Sequence, residues 1–555
     1  MDFKEEVLKL LKNVAKDAVL EMPPNPELGD FSFPCFHLSK GCKKSPNEIA
    51  NELATKIKPN KYIKEIKAIN GYINFYVNKD ILVTKTLNDI LTEKDNYGKS
   101  NMGKNKNYMI EFFQGNTHKA VHIGHVRNIC IGCSVSKILE FTGYKVIRVN
   151  YQGDIGPHVA TALWGMQHFN EQPTGNKAIF LGIMYAKANQ LARDNIEIIK
   201  EIQEINKKIY EKDPKLTELW KKTRQWCLNY FDDIYNDFDV KFDKLYFESQ
   251  VEKDGVKISK DLVKKGIAEL SDGAVIVNLK NINLGVAVLL TRFDTPLYPA
   301  KDLALAKIKS KDYKINKSIH IVGKEQEFYF NQLFKIFELM NSPMKNKSYH
   351  LEYGLVMLPE GKMSSRGGNV IIYDDLIKKL KEESYNETKK RHDWDDAKLK
   401  QVSEKIAFSA LKYSMLNKEN TRIIVFDVKN SIKFEGDTGP YIQYSYARAS
   451  SILKKSVNKI KPNYLLLKDK NEINLINKLS SFHSIIKDSA ANYRPDIIAN
   501  YVYNLAQIFS DFYHHCQCIS DDKELEASRL ALVKATRQVI KNSLNLLGIE
   551  VLEEM

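Results

Sequence analysis

The stretch YMIEFFQGNTHKAVHIGHVRNICIGCSVSKILEFTGYKVIRVNY, residues 108–151, decides the fold of this chain. Tyr108 to Phe113 is apolar, aromatic and short, which predicts a buried strand. Gln114 to Val121 is polar and turn-like. From His122 to Thr142 the spacing is helical, with Val126, Ile129, Cys130, Cys133 and Phe141 within one arc of the wheel. Gly143 closes that helix, as glycine commonly does at the first left-handed position. Lys145 to Tyr151 reads as the next strand. The result is a β-α-β unit with two imidazoles, His122 and His125, at the amino end of its helix. Free backbone N–H groups and the positive dipole end make such a terminus attractive to phosphate.

The rest of the 555-residue chain frames this unit. At roughly 100–200 residues per domain, about three domains are expected. Lysine and arginine exceed aspartate and glutamate by 84 − 69, a net charge of +15. That balance suits a polyanionic partner such as nucleic acid, and also a lysine-rich proteome. No stretch of 18 apolar residues is present, so no membrane span is predicted. The opening segment alternates charge and apolar residues like an amphipathic helix rather than a signal peptide. Seven cysteines do not make a disulfide framework, and the chain reads as cytoplasmic. Cys130 and Cys133 lie on the apolar arc of their helix and read as core. His514, His515, Cys516 and Cys518 sit in an aromatic helical stretch and read as packing, so no metal site is assigned.

Residues 1–98 read as a small α+β unit, with helices over 3–20 and 47–57, a strand at Tyr72 to Val77 and a linking helix over 80–95. Residues 99–394 read as the nucleotide-binding region, interrupted over about 165–300 by helical and hairpin-like material. Within that interruption, Ile196 to Lys212 and Leu216 to Asp237 are long charged helices, and Ala274 to Leu279 and Val286 to Arg292 are strands. His320 to Gly323 and Tyr353 to Leu358 read as short buried strands once the α/β pattern resumes. Residues 395–555 are poor in Gly and Pro after Pro440 and repeat apolar residues every three to four positions, which predicts a helical bundle.

Far downstream, Lys362-Met363-Ser364-Ser365 is bracketed by Gly361, Gly367 and Gly368. Paired with His122-Ile123-Gly124-His125, it fits activation of a carboxylic acid by ATP. In-line attack on the α-phosphate builds negative charge on phosphorus and on departing pyrophosphate, and the enzyme supplies position and compensating charge. His122 and His125 share one side of the first turn. Gly124 lets ATP approach the backbone, and Lys362, with Met363 and Ser364, can close over the phosphates. An ordinary helix start and a surface loop are the bland alternatives. A P-loop is excluded, because the glycine spacing and the residue after the lysine are wrong.

On these motifs the chain resembles a class I aminoacyl-tRNA synthetase, and specifically the arginyl-tRNA synthetase family. EFFQGNTHKAVHIGH at 111–125, GYKVIRVNYQGDIG at 143–156, DTPLYPAKDLALAK at 294–307 and IVGKEQEFYFNQLF at 321–334 carry the likeness. So do FEGDTGPYIQYSYAR at 434–448 and the amino-terminal segments GDFSFP and AINGYINFYV. The resemblance implies a multidomain α/β fold: a Rossmann-like parallel sheet with insertions, a small α+β domain that touches the corner of the tRNA, and a carboxy-terminal anticodon-binding helical bundle. It implies a monomer that uses ATP with Mg²⁺, L-arginine and tRNA(Arg), with no tightly bound metal and no membrane. Tyr298 and Asp302 would line the side-chain pocket, and a planar, always-charged guanidinium is best held by a fork-like carboxylate contact. Glu111 would supply a second carboxylate, and Asn116 and Gln326 would hold the amino and carboxylate end. The sequence departs from the family pattern at Ser365, where a second lysine is usual, at Gly115 and at Tyr329, where a histidine is often found. Lys119, three residues before His122, is placed to supply the missing charge. Other class I synthetases and a non-catalytic relative are the rival readings. The first lack a matching pocket or zinc site here, and the second tends to lose the phosphate-handling residues.

Overall fold

The computed structural model describes residues 3–15, 18–23, 25–169, 171–359 and 371–555. The amino-terminal unit comprises α1 (Phe3–Leu11), β1 (Phe31–Pro34), α2 (Phe36–Cys42), α3 (Pro46–Lys56), β2 (Ile63–Ile69) and β3 (Tyr72–Val77). Its sheet is antiparallel with β3 in the centre. Helix α3 begins on a capping box between Ser45 and Glu48, with Pro46 in the first turn. The helix expected over 3–20 stops at Leu11. Val14 and Ala15 turn back on the Leu11 carbonyl, and Leu20 reaches the core from a non-helical segment. Helix α4 (Lys79–Glu93) then leads into the parallel-sheet region.

That region opens with the unit read from residues 108–151: β4 (Asn107–Glu111), α5 (Ile123–Phe141) and β5 (Lys145–Gln152). Next come α6 (Pro157–Phe169), α7 (Lys177–Ala192), α8 (Ile196–Tyr210) and α9 (Pro214–Asp237). The chain re-enters the sheet at β6 (Lys244–Phe247), inside the stretch expected to be an insertion. A four-residue edge strand is too short to stand out by periodicity. Helix α10 (Glu248–Lys264) and an antiparallel sheet of β7 (Glu269–Ser271), β8 (Ala274–Asn278) and β9 (Val286–Leu290) follow. Then α11 (Tyr298–Asp312), β10 (Lys317–Gly323), α12 (Glu327–Leu339) and β11 (Ser348–Tyr353) complete the core. The strand expected at Tyr353 to Leu358 is displaced: β11 ends at Tyr353, and only the two-residue β12 (Val356–Met357) lies beyond it. As a half-exposed edge strand, β11 (SYHLEY) lacks the continuous apolar run that marks a buried one.

The main sheet has the order β11-β10-β4-β5-β6, with every pairing parallel. The chain leaves β4 towards β5 and β6, then returns to the other side of β4 as β10. The crevice outside the carboxyl ends of β4 and β10 is therefore the topological switch point, where such sheets bind ligands.

The remaining elements are α13 (Tyr373–Lys389), α14 (Asp396–Leu416), β13 (Ile424–Val425), α15 (Val428–Ser431), α16 (Gly439–Lys455), α17 (Lys470–Ser480), α18 (Phe482–Asn492), α19 (Pro495–His515) and α20 (Lys523–Leu546). Helices α16 to α20 form the bundle. Helix α4 packs on α17 and α20, and Asn542 donates to the Lys94 and Tyr97 carbonyls. No described helix is long and apolar enough to cross a membrane. Cys516 and Cys518 are buried at the end of α19.

Helix α5 differs from its sequence reading. The expected apolar arc is there, but Arg127, Asn128, Ser134 and Ser136 on other faces are buried as well. The sheet covers one side of the helix, and α14, α18, α19 and α20 cover the rest. Polar side chains therefore meet protein rather than water: Ser134 donates to the Leu546 carbonyl at 2.9 Å, and Asn128 donates to the Ile321 carbonyl at 2.7 Å. Cys130 and Cys133 are core, and burial pushes the Cys133 thiol up to about 11.

Arg127 is the extreme case, with no exposed surface. Its guanidinium donates to the carbonyls of Gly354 (2.5 Å), Leu355 (3.2 Å), Asn420 (2.8 Å) and Arg422 (2.8 Å). These lie just before β12 and β13, which pair in parallel. Gly354 allows the approach, since a Cβ there would lie 2.6 Å from the Thr421 and Arg422 carbonyl oxygens. Burial pulls the guanidinium pKa down to about 10, so it remains a cation at neutral pH. Arg127→Met should destabilise the protein by roughly 3 kcal/mol, because several buried carbonyls lose a charged donor at once. Urea unfolding followed by circular dichroism measures this. An unchanged midpoint would show that the four carbonyls do not depend on Arg127.

Candidate active site

The loop between β4 and α5 is held in an unusual backbone. Phe113, Gln114 and His118 all have left-handed φ, at 74°, 53° and 62°, although none is glycine. Such strain persists only where surrounding contacts over-determine it. Here the Phe113 N–H donates to Asn128 and the Gln114 N–H to Asn150, and the Thr117 N–H donates to the Gly153 carbonyl at 3.0 Å. The buried His118 ring lies 2.9 Å from the Thr117 hydroxyl and 2.8 Å from that of Thr223 on α9. The left-handed positions themselves are phenylalanine, glutamine and histidine, so residue type there did not announce this conformation.

His122 is the N-cap of α5. Its Nδ1 accepts the Gly124 N–H at 3.1 Å, and the His122 N–H donates to His125 Nδ1 at 3.1 Å. The two rings lie 3.9 Å apart. Because each Nδ1 accepts, each proton sits on Nε2. Burial, then the charge of Lys119, pulls His122 down to about 4; His125 is lowered by burial and by His122. At neutral pH the pair therefore supplies N–H donors and not cations. His122, His125, Lys119 and Asn116 line a cavity of about 890 Å³, whose other wall is α7 with Tyr185 and Asn189. Lys119 Nζ lies 5.0 Å from the centre of the Tyr185 ring. The α7 wall escaped sequence reading, because its apolar and small residues look like any packed helix. Lys362, Met363 and Ser364 lie outside the described residues.

A second cavity, of about 370 Å³, sits at the switch point. Glu111, Asn116, Tyr298, Asp302 and Gln326, the five residues picked from the sequence, all line it. Asn116 lines both cavities. Its Oδ1 occupies space left by Gly153, where a Cβ would come within 2.2 Å. Tyr298, 68% exposed in the first turn of α11, stands at the mouth.

Charge pairing separates the carboxylates. Glu111, expected as a second carboxylate for the guanidinium, already has partners of its own: one oxygen is ion-paired with Lys309, and the other accepts from Gln114 at 3.3 Å and meets His320 at 3.2 Å. Burial opposes its ionisation, but Lys309 and His320 outweigh that and hold the carboxyl well below the usual range. Lys309 lies seven residues after Asp302, two turns along the same helix face, which is the one sequence signal that could have shown it. Glu248, at the start of α10, also lines the cavity and is paired with Lys301 at 2.8 Å. Asp302 has no ion-pair partner among the described residues; its Oδ2 accepts from the Tyr329 hydroxyl. Burial raises its pKa to about 7, with Tyr329 working against the rise and Glu111 adding to it. An unpaired carboxylate in a cavity suits a cationic ligand, and its forked oxygens suit a guanidinium.

The family model described as "tRNA synthetases class I (R), catalytic domain" matches residues 86–428. "Arginyl tRNA synthetase N terminal domain" matches 2–77, and "DALR anticodon binding domain" matches 442–555. Arginine--tRNA ligase from Clostridium perfringens is 34% identical over 561 residues, covering 100% of this chain and 98% of that one. The protein of the same name from Treponema denticola is 36% identical, covering 97% and 94%. The fold matches that of Thermus thermophilus arginyl-tRNA synthetase with a TM-score of 0.86 at 23% identity, over 99% of both chains. With three family models in register and relatives matched end to end, the chain belongs to the arginyl-tRNA synthetase family of class I tRNA synthetases.

Proposed function

We propose that this protein attaches L-arginine to its cognate tRNA, using ATP with Mg²⁺, through an arginyl-adenylate, with release of pyrophosphate and AMP. The observation that carries this reading is the convergence of Glu111, Asn116, Tyr298, Asp302 and Gln326 on one cavity, joined through Asn116 to the cavity holding His122, His125 and Lys119. The guanidinium enters towards Asp302 beneath Tyr298, while Asn116 and Gln326 hold the amino and carboxylate end. A carboxylate oxygen of arginine attacks the α-phosphorus, and the bond to pyrophosphate breaks. The Nε2–H groups of His122 and His125 meet phosphate oxygens, and Lys119 and Lys362 offset the charge that builds on the leaving group. A terminal ribose hydroxyl of the tRNA then attacks the activated carbonyl, and AMP departs. Arginine-dependent charging of tRNA, and ATP–pyrophosphate exchange that requires tRNA, test the reading. Exchange with arginine alone would contradict the tRNA requirement.

Asp302→Asn keeps the shape but removes the charge opposite the guanidinium. Loss of a charged partner in a buried site costs on the order of 2–5 kcal/mol, so kcat/KM for arginine should fall by about two orders of magnitude or more. The KM for ATP should hardly change. Unaltered arginine kinetics would remove Asp302 from the pocket assignment.

Lys119→Ala should lower kcat with little effect on the arginine KM, since its charge matters mainly in the transition state. Adding Ser365→Lys should partly restore the rate. Full activity of the single variant would leave the phosphates to Lys362.

Recognition of the tRNA anticodon is assigned to the bundle. On α16 and α19, the Arg448 guanidinium lies 4.7 Å from the Tyr444 ring centre and 5.1 Å from that of Tyr513, and Tyr513 is exposed. An arginine between aromatic rings is a stacking surface for unpaired bases. Arg448→Ala should raise the KM for tRNA about tenfold or more, given the roughly 1–3 kcal/mol per stacked base. The arginine KM should stay constant. An unchanged tRNA KM would place the contact elsewhere.

A further inference from the structure

Among the described residues, Asp302 is the one carboxylate lining its cavity that has no ion-paired cation, and its surroundings mostly oppose its charge. From β4, Glu111 faces it, already paired with Lys309 of α11 and in contact with His320 of β10. From α10, Glu248 faces it, paired with Lys301. Tyr151 from β5 and Tyr298 from α11 complete the wall, together with Tyr329 from the first turn of α12. Among the described residues, the hydroxyl of Tyr329 is the only hydrogen-bond donor to the Asp302 carboxylate.

We propose that Tyr329 is a positioning residue for arginine recognition: its phenol O–H grips one oxygen of Asp302, fixes the carboxylate plane and keeps the carboxylate ready for the guanidinium. The inference rests on the reading of this cavity as the arginine site. A carboxylate offers about four lone-pair sites. Tyr329 takes one on Oδ2, and the remainder stay open for a two-pronged guanidinium contact. The phenol is itself braced by an edge-to-face contact with Phe330 at 5.4 Å. Burial and Tyr329's proximity to Asp302 keep the phenol protonated, so it always donates.

The consequence is a pH dependence with a defined sign. Burial already lifts Asp302 to about 7, and the Tyr329 hydrogen bond is what restrains it. Without the donor, the carboxyl protonates at higher pH, and a neutral carboxyl cannot pair with guanidinium. The defect of a donor-less variant is therefore greatest at low pH and shrinks as pH rises.

The test is kcat/KM for arginine in tRNA charging, measured from pH 6 to pH 9 for the wild-type protein, Tyr329→Phe and Tyr329→His. Tyr329→Phe should move the acidic limb upward by about one pH unit, which is a loss of about fivefold at pH 7 and about ninefold at pH 6, and should recover towards pH 9. The ATP KM should not follow that profile. Tyr329→His retains an N–H donor and should lie near wild type. Calorimetric titration with L-arginine reports the same shift without turnover. A Tyr329→Phe profile equal to wild type, or one depressed by the same factor at every pH, would overturn the proposal, as would a failure of Tyr329→His to rescue. If the wild-type protein used another amino acid in place of arginine, the function reading itself would fall, which the same assay distinguishes.

Discussion

The architecture depends on helix α5 being enclosed along most of its length, between the sheet and helices α14, α18, α19 and α20. A single buried guanidinium, that of Arg127, holds the carbonyls that lead into β12 and β13. Five residues before it, His122 starts the helix. The element that presents two imidazoles to a cavity is thus wedged between a parallel sheet and a helical bundle, and cannot shift without disturbing both. Enclosure explains why its polar residues are buried and bonded. It also explains why the imidazoles are neutral: they are partly desolvated and lie beside Lys119.

The second organising feature is the sorting of charge at the switch point. Two of the three carboxylates there have buried lysines, Glu111 with Lys309 and Glu248 with Lys301. Breaking such a pair typically costs roughly 3–5 kcal/mol, because the survivor is left as an uncompensated buried charge. Those pairs are fixed structure. Asp302 alone is left with a neutral partner, Tyr329. With Asp302 ionised, the described carboxylates of the cavity outnumber their paired lysines by one, and a single cationic side chain makes up the difference. Lysine and arginine both carry that charge. Discrimination between them therefore depends on geometry: a planar fork against a point charge.

The loop joining β4 to α5 ties the two cavities together. Gly153, just past β5, accepts the Thr117 N–H and leaves the room that the Asn116 side chain fills. The left-handed residues of the loop are maintained by contacts from β5, α5 and α9 rather than by turn-forming residue types. Packing from three separate elements thus sets the position of the one side chain that lines both cavities.

The sequence by itself determined the β-α-β unit, the helical bundle and the amino-terminal sheet strand, while the five residues that line the cavity were named by the family resemblance its motifs carry. Periodicity, caps and motif spacing are local signals, and they survive without knowledge of the partners. What it could not determine was which charges are spent on one another. That Glu111 is already ion-paired could not be read, because nothing in a linear chain reveals Lys309 lying against it. Nor could it reveal that the polar side of α5 faces protein, that residues 244–247 return to the sheet, or that Tyr329 caps Asp302. These are pairings between segments far apart in the chain, fixed only when strand order and helix packing bring them within hydrogen-bond distance. Desolvation, which decides which groups are charged, exists only once the chain has closed around them.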